Sequence, residues 1–130
     1  MIKQYCILYG TTMVIMLAMD MLWLKGIAHS FYQQRLGDML EFRTLPAILF
    51  YLLYGVGIVV FVSGNAEKWQ TVLLYGSFFG LVAYATYDLT NLGTLRAWPL
   101  SVTLVDMAWG VFNTGLSATV GWCITRLLTR

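Results

Sequence analysis

The sequence predicts an all-α membrane protein: a bundle of four transmembrane helices with a short interfacial helix between helices 1 and 2. Hydrophobic residues make up 59% of the 130-residue chain and charged residues only 11%, whereas a soluble domain keeps roughly a quarter of its residues charged. Four segments approach or exceed the roughly 20 apolar residues that a helix needs to cross a bilayer. Because backbone groups in lipid must find partners internally, these segments are expected to be helices of a single domain, residues 1–130.

The composition argues against several other classes of protein. The net charge of +2 comes without a basic run or a Gly-rich phosphate loop, so nucleic acid is not an expected partner. Cys6 and Cys123 lie far apart with no CxxC spacing, and His29 is the only imidazole. Neither a zinc site nor another cofactor is therefore predicted, although oxygen ligands leave a magnesium or calcium site open.

The first span, about Tyr5–Ile27, begins in a way that resembles a secretory signal. A signal has a short apolar region that ends in small residues at a cleavage site. This stretch is longer, contains Asp20 and ends in the bulky Trp23 and Leu24. It is therefore predicted to be a retained transmembrane helix.

The longest connection, His29–Leu45, mixes apolar and charged residues. Phe31 and Leu36, for example, are interleaved with Arg35 and Asp38. Such a mixture is typical of a short helix lying in the membrane interface. A simple solvated loop is the alternative.

The other three spans are predicted at about Pro46–Ser63, Trp69–Leu92 and Trp98–Leu127. Pro46 suits the first turn of a helix, where no amide donor is needed. Tryptophans favour the headgroup layer, and three lie near span ends: Trp69, Trp98 and Trp122.

Charge leaves the membrane orientation open. Both termini and the Ser63–Trp69 turn share one side, and His29–Leu45 and the Gly93–Ala97 turn share the other. Cytoplasmic segments normally carry an excess of Lys and Arg, but here the two sides tie. The terminal side has Lys3, Lys68, Arg126 and Arg130, and the other side has Lys25, Arg35, Arg43 and Arg96.

Three of the six acidic residues, Asp20, Asp88 and Asp106, fall inside predicted spans. With a rise of about 1.5 Å per residue, all three are expected roughly 7–12 Å below the surface on the His29 side. A mid-span Asp opposes insertion by about 2.5–3.5 kcal/mol, so the three side chains are expected to face one another rather than lipid. Because like charges held close cannot all ionise, the three acids are expected to share protons, to bind Arg or Lys, or to hold a cation.

Small and polar residues form a stripe on each of the last two spans. On the third span they are Ser77, Gly80, Tyr84, Asp88 and Asn91, and on the fourth they are Thr103, Asp106, Gly110, Asn113, Ser117 and Gly121. Residues three and four apart share a helix face, and small residues let membrane helices approach closely. The stripes are therefore predicted to face inward and meet, helped by the GxxxG of Gly76 and Gly80.

These features predict a pocket in which Asp20, Asp88 and Asp106 are catalytic or binding residues. The other residues expected in it are Trp23, Tyr51, Tyr54, Tyr84, Tyr87, Thr90, Asn91, Arg96, Trp109 and Asn113. An aspartate pair can act as general acid and base on an amide or ester. The alternative is that the carboxylates only join helices by accepting hydrogen bonds from Tyr, Thr or Trp.

The pattern D-M-x-W occurs twice, at Asp20–Trp23 and at Asp106–Trp109. A Trp three residues after an Asp shares its helix face, so its N–H is expected to help satisfy that carboxylate. Because the first and fourth spans run antiparallel, the two tryptophans are expected on opposite sides of the acid layer.

Five segments resemble a family of small bacterial inner-membrane proteins catalogued as a domain of unknown function: MDMLWL, FYQQRLGDML, ILFYLLYGVGIVVF, GLVAYATYDLTNLGTLRAWPL and VDMAWG. The resemblance covers nearly the whole chain, and the YDLTN segment is quite specific. It implies four helices in the bacterial inner membrane. It singles out Asp20, Trp23, Tyr87, Asp88, Thr90, Asn91, Trp98, Asp106 and Trp109, and it implies no activity.

Three functions are open at this point. The first is a pocket that binds or processes a lipid-derived or amphiphilic small substrate. The second is a small proton- or cation-coupled transporter, expected to be a dimer because four short helices enclose little space. The third is an accessory subunit that docks to a larger membrane enzyme through glycine-rich helices. The corresponding partners are membrane lipids, a second copy of the chain and a larger membrane protein.

Overall fold

The computed structural model describes residues 2–39 and 43–129. Within these residues the chain is helical and forms no strand. The helices are α1 (Ile2–Trp23), α2 (His29–Leu36), α3 (Thr44–Ile58), α4 (Trp69–Thr94) and α5 (Leu100–Leu128). The predicted all-α membrane fold is confirmed.

Helix α5 is the most polar of the long helices and lies at the centre of the bundle. Three helical stretches, Ile2–Leu36, Thr44–Ser63 and Trp69–Thr94, are long and apolar enough to cross a membrane. The fourth long helix, α5, has 29 residues, and its polar side chains are buried against its neighbours. Fully or almost fully buried are Thr103, Asn113, Thr114 and Ser117. The apolar helices thus separate the polar face of α5 from lipid.

The short helix predicted after the first span is α2, and it follows α1 without an intervening loop. A π-helical turn at Leu24–Ala28 joins the two helices. A 3₁₀ turn, Gly37–Met39, follows α2, and Gly37 has a φ of 53°, which a glycine adopts without steric cost. Residues 40–42 of the predicted interfacial segment lie outside the described residues.

Helices α4 and α5 approach each other through small residues. A Cβ atom added to Gly76 would lie 3.3 Å from the Cα atom of Gly115. A Cβ atom added to Gly80 would overlap the carbonyl oxygen of Gly110. The small residues of the two stripes predicted on the last two spans therefore do meet.

Hydrogen bonds between side chains tie α1 and α3 to α5. The hydroxyls of Thr11 and Thr125 are 3.2 Å apart, and those of Tyr54 and Thr114 are 2.7 Å apart. Such bonds hold membrane helices in register because lipid offers no competing partner. The buried apolar core consists of Met13, Met16, Tyr54, Ile58, Val62, Val72 and Ala118.

Large apolar side chains cover the outside of the bundle. Leu53 is 73% exposed, Phe61 71% and Leu74 66%. An apolar surface of this kind is a site of association in water, whereas in a bilayer it contacts acyl chains. The outer surface therefore agrees with a multi-pass membrane protein.

We expect Gly80→Ala to destabilise the bundle by about 1–3 kcal/mol, because the new methyl group meets the backbone of α5, which cannot move without displacing the helix. Unfolding by SDS titration in mixed micelles measures this loss. Gly10→Ala is the matched control, since nothing lies within 4 Å of an added Cβ atom there. Equal stability of the two variants would contradict the close contact between α4 and α5.

Candidate functional site

Asp20 joins three helices through its carboxylate. It lies on α1 and is 7% exposed. Its Oδ2 atom accepts a hydrogen bond from the hydroxyl of Tyr51 on α3 at 2.6 Å. Its Oδ1 atom accepts from the indole N–H of Trp109 at 2.8 Å and from the amide of Asn113 at 3.0 Å, both on α5. Three donors therefore stabilise this carboxylate.

The amide of Asn113 is itself held in place. The hydroxyl of Ser117, one turn later on α5, donates to the Oδ1 atom of Asn113 at 2.9 Å. That bond occupies the amide oxygen and leaves the NH₂ group to face Asp20. Both side chains are almost fully buried, so this chain of bonds lies inside the bundle.

The two D-M-x-W tryptophans do not lie as predicted. Trp109 donates to Asp20 of the other segment rather than to Asp106. The rings of Trp23 and Trp109 stack, with centroids 4.5 Å apart and planes 6° apart, so they are not on opposite sides of the acids. The reason is the register of the two helices. Asp20 is level with Trp109 and Asn113, about one helical turn deeper than Asp106.

Asp106 is covered by α2. Its Oδ1 atom accepts a hydrogen bond from the hydroxyl of Tyr32 at 2.9 Å. Arg35, on the next turn of α2, donates from Nε to the hydroxyl of Ser101 at 3.0 Å. These two bonds place α2 across the first turns of α5, directly over Asp106.

Asp88 is fully buried on α4, and neither of its carboxyl oxygens has a donor among the described residues. Its carboxyl group lies beside that of Asp106. Two carboxylates can only accept, so a hydrogen bond between them needs a proton on one of them. The two adjacent carboxyl groups can therefore be joined either by a proton on one of them or by a donor group that a ligand supplies.

A cavity of about 410 Å³ adjoins Asp106. Asp106 supplies its charged group, and Phe50, Ala83, Tyr84 and Tyr87 form the other walls. Phe50 is 44% exposed and Tyr87 56% exposed, so the cavity opens sideways, between α3 and α4, towards lipid. Its volume lies within the range of about 300–1,000 Å³ that is typical of small-molecule pockets.

The remaining predicted pocket residues divide into two groups. Asn91 is half-buried beside Tyr87 and so adjoins the cavity wall. Thr90 and Arg96 are exposed near the end of α4. No contact found in residues 2–39 and 43–129 joins either of them to the three aspartates, and their part in a site stays a prediction.

Sequence reasoning missed Tyr32, and it also missed Phe50 and Ala83 of the cavity wall. Tyr32 was assigned to the interfacial segment, where it is the only tyrosine of His29–Leu45. A tyrosine hydroxyl can donate a hydrogen bond to a buried carboxylate. A tyrosine in the segment next to the first span is therefore the sequence signal for this contact. Helical spacing counted from Asp20 does not point to it, however, because the π turn at Leu24–Ala28 changes the face that α2 presents.

A metal centre would need several ligating side chains close together. Among the described residues, no group of three or more His, Cys, Asp or Glu has such an arrangement. Asp20 in particular already accepts three hydrogen bonds, which occupy most of the roughly four acceptor positions of a carboxylate.

Comparison with known proteins identifies a family. A family model described as "Predicted membrane protein (DUF2177)" matches residues 5–123. The match covers most of the chain, so the chain belongs to this family, and the resemblance inferred from the sequence is confirmed. No curated protein and no solved structure matches it. Membership supports a multi-pass membrane protein and carries no activity with it.

We expect Tyr51→Phe to lower the free energy of unfolding by about 0.6–1.7 kcal/mol, from the average to the maximum measured for single interhelical hydrogen bonds in a membrane protein. The variant removes only the hydroxyl that donates to Asp20. Tyr75→Phe is the control, because Tyr75 is 55% exposed on the outside of α4. An equally large loss of unfolding free energy in Tyr75→Phe would mean that the effect of Tyr51→Phe does not come from the hydrogen bond to Asp20.

Proposed function

We propose that this chain, as a member of that membrane-protein family, binds or processes a lipid-derived or amphiphilic small substrate at the Asp88–Asp106 pair, in the bacterial inner membrane. The observation that carries the proposal is the state of Asp88. It is fully buried, has no hydrogen-bond donor among the described residues and adjoins Asp106, which lines the cavity.

The acid pair determines which polar group the substrate carries. Buried polar atoms are nearly always hydrogen-bonded, and one without a partner raises the question of what binds it. Asp88 and Asp106 offer acceptors, so the complementary group is a donor: an amine, a hydroxyl or an amide N–H. An ammonium group would also offset the negative charge of the pair.

The cavity wall determines the rest of the substrate. Phe50, Ala83, Tyr84 and Tyr87 present mainly aromatic and aliphatic surface. Because the opening lies between helices that face lipid, an amphiphile dissolved in the membrane reaches it without passing through water. Its apolar part then rests on Phe50 and Tyr87 while its polar head meets Asp106.

The arrangement is also suited to acid–base chemistry. Two carboxyl groups that share one proton present an acid and a base at the same moment. On an ester or amide bond, the ionised member accepts a proton from water and the protonated member donates one to the leaving group. Tyr32 positions Asp106 for either role by donating to its Oδ1 atom.

Asp20 has a different task in this proposal. Its carboxylate is held by Tyr51, Trp109 and Asn113, so it joins helices and supports the cavity from below. Substitution of Asp20 is therefore expected to affect the amount of folded protein, whereas substitution of Asp88 or Asp106 is expected to affect the ligand.

The test is the amphiphile content of the purified protein. The wild type, Asp88→Asn and Asp106→Asn are purified in a mild detergent, extracted with organic solvent and compared by mass spectrometry. We expect the wild type to retain a distinct amphiphile with a donor group. We expect each variant to retain about 10–100-fold less of it, the loss of one hydrogen bond to a charged group.

Asp38→Asn is the matched control, because it makes the same chemical change at an exposed position on α2's side of the bundle. It should retain as much amphiphile as the wild type. If Asp20→Asn, Asp88→Asn and Asp106→Asn all reduce the protein level equally, the carboxylates only join helices and the proposal fails.

A proton-coupled transporter is the second candidate, and the adjacent carboxyl groups of Asp88 and Asp106 favour it, because two neighbouring acids can bind either a proton or a cation. In proteoliposomes that contain a pH-sensitive dye, added ethidium, an amphiphilic cation, should then enter in exchange for protons that leave, so the pH inside should rise. The signal should disappear in Asp88→Asn and persist in Asp38→Asn. An absent signal in the wild type would count against coupling while leaving substrate binding intact.

The third function, an accessory subunit that docks through glycine-rich helices, has less support. Such a docking face would consist of glycines of α4 and α5. These glycines instead pack against helices of the same chain, as Gly80 does against Gly110 and Gly121 against Thr12. They are therefore already used inside the bundle.

A further inference from the structure

A second cavity lies at the opposite end of the bundle, on the side of the chain termini. Its volume is about 380 Å³. Its walls come from the first turns of α1, the last turns of α5 and the π-helical turn Val59–Ser63 that follows α3. It shares no lining residue with the cavity beside Asp106.

Arg126 is held in the wall of this cavity by neutral groups. Its guanidinium lies 4.5 Å from the centroid of the Trp122 ring, and its Nη2 atom donates to the carbonyl of Ala66 at 3.3 Å. The same carbonyl accepts the indole N–H of Trp122 at 3.2 Å. Among residues 2–39 and 43–129, no carboxylate pairs with Arg126. Most of its five N–H donors therefore remain for a ligand.

Ser63 supplies a second, independent signal. The residue lines the cavity and is 1% exposed, and its hydroxyl has no hydrogen-bond partner in the part of the chain that the structure describes. A buried hydroxyl is normally paired. Ser63 ends a π-helical turn, and such turns occur frequently at functional sites.

The charge on this side favours an anion. Lys3, Lys68 and Arg126 lie here, and Glu67 is the only acidic side chain on this side among the described residues. Gln4, in the first turn of α1, also lines the cavity, and the first-turn backbone N–H groups of a helix have no carbonyl partner within it. The positive end of the α1 dipole therefore adds to the cationic charge.

We propose that this cavity binds the phosphate group of an anionic membrane lipid, with Arg126 and the hydroxyl of Ser63 as donors. Arginine recognises phosphate through two parallel N–H bonds, and basic pockets at the ends of membrane helices bind headgroups. Leu8 and the half-exposed Tyr5 form an apolar wall that leads out to lipid. That wall fits an acyl chain and favours a lipid over a soluble phosphate.

The test is lipid retention by the full chain in native mass spectrometry. The protein in detergent receives equal amounts of phosphatidylglycerol and phosphatidylcholine. We expect the wild type to retain phosphatidylglycerol about tenfold better, and Arg126→Gln to lose that preference. Ser63→Ala should weaken retention severalfold, and because the hydroxyl has no partner in the described part of the protein, this variant should fold normally.

Lys68→Gln is the matched control, since Lys68 is an exposed cation on the same side. It should retain the lipid as the wild type does. Equal retention of the two lipids by the wild type, or an equal loss in Lys68→Gln and Arg126→Gln, would overturn the proposal. In a second arm, displacement of phosphatidylglycerol by millimolar inorganic phosphate would assign the site to a soluble anion instead of a lipid.

Discussion

The hydrogen bonds to Asp20 are the interaction on which the rest of this structure depends. A carboxylate inside a bilayer opposes insertion unless donors surround it, and here the donors come from α3 and α5. Satisfying one side chain on α1 therefore fixes the depth and rotation of two other helices. Helix α4 then packs on α5 through Gly80 and Gly110, and that contact brings Asp88 beside Asp106.

Two chemically different environments result for the same residue type. Asp20 accepts hydrogen bonds from three donors, which leaves its carboxyl group little capacity for a ligand. Asp88 has no donor among the described residues, and its neighbour is another acid. In a low-dielectric interior, an unpartnered polar group is far more costly than in water. This cost is the physical basis for proposing that a ligand supplies a donor at the Asp88–Asp106 pair.

The sequence predicted the helices and the inward faces well, because both follow from local patterns. Hydropathy identifies the spans, and spacing of three and four residues identifies the stripe that includes Asp106 and Asn113. The sequence did not predict which donor side chain forms a hydrogen bond with which aspartate. The pairing of Asp20 with Trp109 depends on a relative shift of about one turn between two helices, and the pairing of Asp106 with Tyr32 depends on a π turn. Neither the shift between the two helices nor the π turn can be recognised from the spacing of residues in the sequence.

The two π turns influence where polar side chains lie at the two ends of this small bundle. A π turn inserts one residue, so the helix beyond it presents a different face from the one its spacing implies. The turn at Leu24–Ala28 directs α2 onto α5 above Asp106. The turn at Val59–Ser63 ends at Ser63, whose hydroxyl has no partner among the residues that the structure describes. Straight helices of this composition would bury these groups against apolar neighbours. Each irregular turn thus places polar groups near a membrane surface, where a headgroup or an amphiphile can reach them.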